Sequence, residues 1–311
     1  MTQAFAIEAR GLIKDFDGVR AVDGLDLAVP AGMIYGVLGP NGAGKTTSLR
    51  MLLGIIDPDA GERHVFGESM PLRVADRIGY LPEERGLYPT MKARDAIAFL
   101  GALRGLPRAE GRRRADRLLA EHGLEQAAYR PIRTLSKGMA QTVQILGTIV
   151  HRPRLIVLDE PFSGLDALNQ ARLETLIRAQ ADAGATILFS THVIAHAERL
   201  CERIAIIAAG RVRFEGSVAD ARERLPPQVS LTTRRETGAW TEAFPPDAHR
   251  DGRRWQFALP DDGIEPLLAR LIAGEAGIEA LSIERPGLHD AFVDIVGSAI
   301  ADAMVQPEPL P

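Results

Sequence analysis

The apolar positions of this chain follow two different periods. Leu25, Leu27 and Val29 alternate with polar or small residues, as in a half-buried strand. Apolar residues spaced three or four apart over 165–177 predict a helix. Continuous apolar runs, typical of strands buried on both faces, lie at 33–38, 155–158, 186–189 and 204–207. Buried strands that alternate with helices predict an α/β fold with a parallel, helix-covered sheet.

Two regions depart from this pattern. Residues 90–150 are rich in Ala, Leu, Arg and Glu and contain no convincing strand, so we expect a helical insertion there. Pro226 and Pro227 predict a boundary between a first domain, 1–225, and a second domain, 228–311. The second domain is expected to be a small α+β unit, with strands over 229–233, 254–259 and 280–284 and helices over 264–272 and 288–296.

Composition narrows the class of protein without identifying it. The 311 residues are 46% hydrophobic and 25% charged, which indicates a folded protein, and the length is sufficient for two domains. A net charge of -4 gives no reason to expect a nucleic-acid partner, and we interpret the basic run Arg112 to Arg114 as a solvated helix face. The first residues lack the pattern of a secretory signal, and the single cysteine fits a reducing compartment, so we expect a cytoplasmic protein.

The clearest chemical motif follows the strand predicted at 33–38. It matches the pattern GxxxxGK[ST], in which glycine backbone and a helix N-terminus hold phosphate oxygens. Lys45 is expected to reach the β- and γ-phosphates of a nucleotide, and the Thr46 hydroxyl is expected to bind Mg²⁺. The predicted nucleotide-binding loop consists of Gly39, Pro40, Asn41, Gly42, Ala43, Gly44, Lys45, Thr46 and Thr47.

Acidic and basic side chains follow two other predicted strands. Asp159 and Glu160 end the run at 155–158, and His192 follows the run at 186–189. Because ligands of open α/β sheets bind beyond the carboxyl ends of the strands, we expect these residues to meet at the phosphate loop. Asp159 would belong to the Mg²⁺ shell, Glu160 would act as the general base toward water, and His192 would contact the γ-phosphate.

Residues 5–222 resemble the nucleotide-binding subunit of ABC transporters, because several motifs occur in that family's order. Residues 135–139 (LSKGM) are similar to its signature motif, 161–166 (PFSGLD) to its D-loop, and His192 to its switch histidine. Phe16 stands where the family places an aromatic ring against adenine. The resemblance implies a P-loop NTPase fold of the ABC type, with an antiparallel β subdomain and a helical subdomain at about 88–150, beside the C-terminal α+β domain.

The resemblance also implies a mechanism. Two subunits would form a homodimer, head to tail, with two ATP molecules at the interface. Ser136 and Gly138 of one protomer would face the γ-phosphate that Lys45 of the other holds, and Asp166 would lie at the same nucleotide. Hydrolysis would remove the γ-phosphate contacts and reopen the dimer.

The sequence departs from the family's pattern in two places. Lys137 and Met139 replace the Gly and Gln that are common in the signature motif, but the Ser hydroxyl and backbone N–H groups that contact phosphate are kept. Glu83 stands at the position of the family's Q-loop glutamine. Because a carboxylate oxygen is a good Mg²⁺ ligand, we expect Glu83 at the metal with Thr46 and Asp159.

Residues 79–88 and 286–292 resemble the ATPase subunits of ABC-2 type exporters, which export drugs, sodium, polysaccharides or lipids. The implied partner is a separate transmembrane permease, which would hold this subunit at the cytoplasmic face of the membrane. Two alternatives are a soluble ABC ATPase acting on ribosomes, DNA or cofactor assembly, and a regulatory module without turnover. The single cassette, without a coiled-coil insertion or basic surface, disfavours the first, and intact Lys45, Asp159, Glu160 and His192 disfavour the second.

Overall fold

The computed structural model describes residues 4–84 and 86–305, with side chains as far as residue 299. The described chain divides into two compact units, one of 4–218 with 295–305 and one of 219–294. In this division Pro226 and Pro227, predicted as the domain boundary, lie within the second unit. No helix in the described ranges is long and apolar enough to span a membrane.

The first unit combines two sheets with helices. Short 3-10 helices occupy Pro71–Arg77, Glu125–Ala127 and Ile132–Thr134. Its other elements in chain order are β1 (Phe5–Phe16), β2 (Val19–Pro30), β3 (Ile34–Leu38), α1 (Lys45–Leu52), β4 (Ala60–Val65), β5 (Ile78–Leu81), α2 (Ala93–Ala102), α3 (Arg108–Glu121), α4 (Lys137–Ile149), β6 (Leu155–Asp159), α5 (Ala167–Asp182), β7 (Thr186–Thr191), α6 (Ile194–Leu200), β8 (Arg203–Ala208) and β9 (Arg211–Ser217).

The smaller sheet is antiparallel, with the order β2-β1-β4. Asp17 and Gly18 join β1 to β2, and both have positive φ (48° and 84°), as a two-residue hairpin turn requires. Leu25, Leu27 and Val29 are buried, so the alternation predicted there is confirmed. The strand is much longer than the alternating residues indicated, since β2 begins at Val19.

The larger sheet has the order β5-β6-β7-β3-β8-β9, and its strands from β5 to β8 are parallel. The four continuous apolar runs form β3, β6, β7 and β8, which confirms the predicted parallel sheet. The edge strands β5 and β9 were not predicted, because β5 has only four residues and β9 carries arginines along its length. The order places β7 between β3 and β6, so three predicted site segments leave adjacent strands at one edge.

Residues 90–150 contain α2, α3 and α4 and no strand, as predicted. The three consecutive arginines of α3 have acidic partners within the chain. Arg112 pairs with Asp95, and both Arg113 and Arg114 pair with Glu110. These pairs agree with the interpretation of the basic run as a solvated helix face.

The second unit contains an antiparallel sheet and helices. After α7 (Val218–Arg222), the remaining elements are β10 (Gln228–Thr233), a 3-10 helix (Ala239–Ala243), β11 (His249–Asp251), β12 (Arg254–Ala258), α8 (Glu265–Ala273), β13 (Ile278–Glu284) and α9 (Leu288–Val305). The four strands form a sheet in the order β11-β12-β10-β13. The three predicted strands and two predicted helices correspond to β10, β12, β13, α8 and α9, whereas the short strand β11 was not predicted. The core of this unit is aromatic, and the rings of Phe244 and Trp255 stack with centroids 3.9 Å apart.

Candidate functional site

The phosphate loop connects β3 to α1 and lies close to the main chain of β2 and β8. Gly44, the residue before α1, has φ of 99°, and a side chain there would overlap the carbonyl oxygen of Ala21. A side chain on Gly39 would overlap the carbonyl oxygen of Ile207. These two positions therefore require glycine. The first N–H groups of α1 lack partners within the helix, so the loop presents donors that suit an anion.

Lys45, the first residue of α1, lies almost completely buried inside this loop. Its Nζ donates to the carbonyl oxygens of Gly39, at 2.7 Å, and Pro40, at 3.1 Å. The same atom lies 3.4 Å from Oε1 of Glu160, which makes a buried ion pair. The amino group is thus held where the loop and the end of β6 meet, as required for a group that binds phosphate.

Asp159 is the last residue of β6, and its carboxylate contacts both α1 and β7. Its Oδ1 accepts hydrogen bonds from the hydroxyls of Thr46, at 3.1 Å, and Ser190, at 2.6 Å. Its Oδ2 is buried and has no hydrogen-bond partner in the protein. A buried carboxylate oxygen without a partner costs free energy. Oδ2 is such an oxygen, and it belongs to the carboxylate that binds the Thr46 hydroxyl. This donor set fits Mg²⁺, which proteins bind through one or two carboxylates with phosphate oxygens and waters.

Glu160 follows Asp159 and takes an unusual backbone conformation. Its φ of 46° lies in the left-handed region, which non-glycine residues rarely adopt. Its N–H donates to the hydroxyl of Ser190 at 3.0 Å, and its Oε2 lies 2.9 Å from Nδ1 of His192. Glu160 is buried, whereas His192 is about half exposed. The structure therefore brings the predicted base and the predicted switch histidine into direct contact.

Ser136 and Gly138 lie at the N-terminus of α4. Ser136 is the N-cap, and its hydroxyl accepts from the N–H of Met139 at 3.2 Å. Gly138 packs closely on the side chain of Asn169, so a larger residue there would have to displace the Asn169 amide. None of the hydrogen bonds found for these two residues, both within the described part, reaches the phosphate loop of the same chain.

Asp166 caps a different helix, α5. Its carboxylate accepts from the backbone N–H and the side-chain amide of Asn169, both at 2.9 Å. Its oxygens are therefore engaged within the chain. The predicted contact of Asp166 with nucleotide stays a prediction.

Comparison with known proteins identifies the family of this chain. The profile of the family described as ABC transporter matches residues 22–163. The daunorubicin/doxorubicin resistance ATP-binding protein DrrA of Streptomyces peucetius is 35% identical over 311 residues, which cover 96% of this chain and 94% of that protein. The chain belongs to the ABC transporter ATP-binding family. Its members hydrolyse ATP, so the chain is the ATPase subunit of an ABC transporter.

Two further comparisons agree with this assignment. The Nod factor export ATP-binding protein I of Ralstonia nicotianae is 38% identical over 213 residues, which cover 68% of this chain and 66% of that protein. A solved structure of the ATP-binding subunit of an ABC transporter has a TM-score of 0.65 and 32% identity, over 70% of this chain and 92% of that one. The ABC ATPase fold predicted from the motifs is confirmed.

Phe16 of this ABC ATPase is an exposed aromatic residue at the end of β1. It is 43% exposed, although an isolated Phe is ordinarily a core residue. Lys14 Nζ lies 5.6 Å from the ring centroid. An exposed ring beside a cation is free to stack on a base, and the predicted adenine contact stays a prediction.

Glu83 lies just beyond the end of β5, the strand next to β6. Leu81 pairs with Leu158, so the two strands end side by side and Glu83 leaves β5 close to Asp159. Burial raises the pKa of the Tyr80 hydroxyl, nearby Arg50 lowers it, and the charges of Asp159 and Glu83 raise it further. Glu83 is exposed, and its predicted role as a metal ligand stays a prediction.

Sequence reasoning missed two kinds of residue in this ABC ATPase. Ser190 was not assigned a role, because its importance comes from hydrogen bonds to Asp159 and Glu160 on the neighbouring strand. Gln141 and Gln144 of α4 donate to the carbonyl oxygens of Pro161, at 3.4 Å, and Glu84, at 3.5 Å. These long bonds join the signature helix to both loops of the site, and no local pattern marks them because the partners are backbone atoms.

The glycine at the start of the phosphate loop provides a test of the loop geometry. We expect Gly39→Ala to weaken nucleotide binding at least about tenfold, because the added methyl group forces the loop away from β8. A fluorescent ATP analogue titrated in Mg²⁺ measures the affinity. Gly297→Ala is the control, since no atom lies within 4 Å of the added carbon. Equal affinities in the two variants would contradict the packing described for the loop.

Proposed function

We propose that this ABC ATPase drives export through a separate permease, by closing as a homodimer on two ATP molecules and reopening after hydrolysis. The names of its relatives support export, since one is a drug-resistance ATP-binding protein and another is a Nod factor export ATP-binding protein. The observation that carries the proposal is a set of three contacts at one edge of the sheet: Glu160 contacts Lys45 and His192, and Asp159 accepts from the Thr46 hydroxyl.

ATP binding begins at the phosphate loop. The N–H groups at the start of α1 bind phosphate oxygens, and Lys45 exchanges the carbonyl oxygens of Gly39 and Pro40 for the β- and γ-phosphates. The adenine ring stacks on Phe16. Thr46 and Asp159 would hold Mg²⁺, with Glu83 as an additional oxygen ligand. When bound, Mg²⁺ would neutralise negative charge on the phosphate oxygens and so favour attack of water on the γ-phosphorus atom.

The hydrolytic step relies on Glu160 and His192. Glu160 accepts a hydrogen bond from the attacking water and removes its proton as the oxygen approaches the γ-phosphorus atom. The bond from this phosphorus atom to the bridging oxygen breaks, and ADP leaves with that oxygen. The left-handed backbone at Glu160 and the contact with His192 fix where this carboxylate stands. His192, which is partly exposed, also donates to the γ-phosphate and so links the base to the bound nucleotide.

The second protomer completes each site. Ser136 and Gly138 lie at the N-terminus of α4, where the helix dipole favours negative charge. In a head-to-tail dimer this end of the helix faces the γ-phosphate held by Lys45 of the partner subunit. Because each γ-phosphate then contacts both protomers, its loss on hydrolysis weakens the interface.

The permease contact is placed on the segment that runs from Glu83 into the helical region 88–150. Tyr88, Phe99 and Leu103 expose apolar side chains there, and the rings of Tyr88 and Phe99 meet edge to face with centroids 5.8 Å apart. Single exposed apolar residues are common, but these three lie on the same segment as Glu83, the proposed metal ligand. A permease bound here would hold the ABC ATPase at the cytoplasmic face of the membrane.

Glu160→Gln tests the general base. The amide keeps the shape of the side chain but cannot take a proton, so we expect ATP affinity within about threefold of wild type and turnover about 10²- to 10⁴-fold lower. Phosphate release measures turnover, and size-exclusion chromatography with Mg²⁺ and ATP should show a trapped dimer. Steady-state hydrolysis at the wild-type rate would refute the assignment of Glu160.

Ser136→Asp in the Glu160→Gln background tests the composite site. Aspartate and asparagine both replace serine well as an N-cap, so α4 should be retained in either case. The added charge of aspartate should repel the partner's γ-phosphate and weaken ATP-driven dimerisation at least about tenfold, whereas Ser136→Asn should dimerise. Analytical ultracentrifugation with ATP compares the two. Dimerisation unaffected by the aspartate would contradict the proposed interface.

Leu103→Asp tests the permease contact. Leu103 is 64% exposed, so a charge should leave the fold and basal ATPase activity intact while it weakens co-purification with the proposed permease partner. We expect recovery of the complex to fall at least about tenfold, because an aspartate buried in an apolar contact is unpaired. Ile272→Asp, at 68% exposure in the second unit, is the matched control. Equal recovery of both variants would place the contact elsewhere.

A further inference from the structure

Ser190 lies in β7, between the two strands that carry the chemistry, and its side chain is completely buried. Its Oγ donates to Oδ1 of Asp159 at 2.6 Å and accepts from the N–H of Glu160 at 3.0 Å. A serine hydroxyl has one proton, so donation to the carboxylate leaves its lone pairs for the amide. One hydroxyl therefore contacts the proposed metal ligand and the proposed base together.

The contact with Asp159 determines which carboxylate oxygen remains available. Oδ1 accepts from both Ser190 and Thr46, whereas Oδ2 is buried without a hydrogen-bond partner. Rotation of the carboxylate would break two buried hydrogen bonds to a charged group, which are stronger than bonds between neutral groups. Ser190 and Thr46 thus hold the carboxylate with Oδ2 free for a cation.

The contact with Glu160 acts on the backbone. The left-handed conformation of a non-glycine residue is strained, so it persists only when neighbouring groups hold it. The bond from the Glu160 N–H to Ser190 restrains the residue from its N-terminal side. Held in this way, the side chain reaches His192 and Lys45.

The position of Ser190 follows from the sheet. Asp159 pairs with Ser190 in the parallel register of β6 and β7, so the two side chains leave neighbouring strands at the same level. His192 follows two residues after Ser190, just beyond the end of β7. The strand that brings the histidine to Glu160 therefore also brings the hydroxyl to Asp159.

We propose that Ser190 is a positioning residue of ATP hydrolysis, whose hydroxyl directs Oδ2 of Asp159 toward Mg²⁺ and holds the backbone of Glu160. This inference rests on the proposed roles of Asp159 and Glu160. A hydroxyl that only stabilised the fold would affect unfolding and leave metal affinity unchanged. Metal binding and turnover therefore separate the two roles.

The test measures Mn²⁺, as a substitute for Mg²⁺, by electron paramagnetic resonance in the presence of ATP. It uses the full-length Glu160→Gln chain, which is expected not to consume the nucleotide. We expect added Ser190→Ala to weaken Mn²⁺ binding about tenfold, equivalent to about 1.4 kcal/mol, with metal-free ATP affinity unchanged. In the wild-type background, Ser190→Ala should lower kcat at least about tenfold and raise the KM for MgATP, because a chain that binds the metal more weakly beside ATP also binds MgATP more weakly.

Thr186→Val is the matched control. Thr186 is buried at the other end of β7, where its hydroxyl accepts from the N–H of Gly32 at 2.9 Å. Loss of this hydroxyl should lower stability but leave Mn²⁺ affinity and kcat unchanged. Ser190→Cys, which keeps the shape but is a weak donor, carries the test if the alanine variant fails to fold, and we expect it to be impaired as well.

The outcomes separate this inference from the function on which it rests. If the parent chain binds Mn²⁺ with ATP and hydrolyses ATP, but the folded Ser190 variants match it in both, the role of Ser190 is wrong and the proposed function stands. If the parent chain itself neither binds Mn²⁺ with ATP nor turns over, the proposed function fails first. Weaker Mn²⁺ binding in the Ser190 variants, with Thr186→Val unchanged, supports the positioning role.

Discussion

The buried carboxylate of Asp159 is the interaction on which the rest of the site depends. It accepts hydrogen bonds from the hydroxyls of Thr46, at the start of α1, and Ser190, on β7. Three separate segments therefore meet at one side chain. The strand order β6-β7-β3 makes this possible, because the serine strand lies between the other two. Oδ1 accepts the two hydrogen bonds within the protein, and Oδ2 remains available for a metal ion.

The charges around Asp159 explain why the site should respond to nucleotide. Lys45 and Glu160 form a buried ion pair, and removal of charges from water has a cost that such a pair only partly offsets. The lysine also binds two carbonyl oxygens of its own loop. Phosphate offers this cation stronger, charged acceptors, so ATP binding should draw Lys45 away and leave Glu160 with His192 and a water molecule.

Much of this arrangement could be predicted from local patterns, because the relevant signals lie within short segments. Continuous apolar runs marked β3, β6, β7 and β8, and the residues at their ends marked Lys45, Asp159, Glu160 and His192. Ser190 and the short strand β5 could not be assigned in this way, since their importance comes from pairing across the sheet. Phe16 shows the same limit, because only the fold reveals that this ring is exposed rather than part of a core.

The decisive experiment is a structure of the Glu160→Gln chain with Mg²⁺ and ATP bound. We expect a head-to-tail dimer in which Lys45 has moved from the carbonyl oxygens of Gly39 and Pro40 to the phosphates. We also expect Asp159 to present Oδ2 to the metal and Ser136 of one protomer to lie against the γ-phosphate of the other. A nucleotide bound elsewhere, with Lys45 still on its own loop, would show that Lys45 and Asp159 do not form the ATP site.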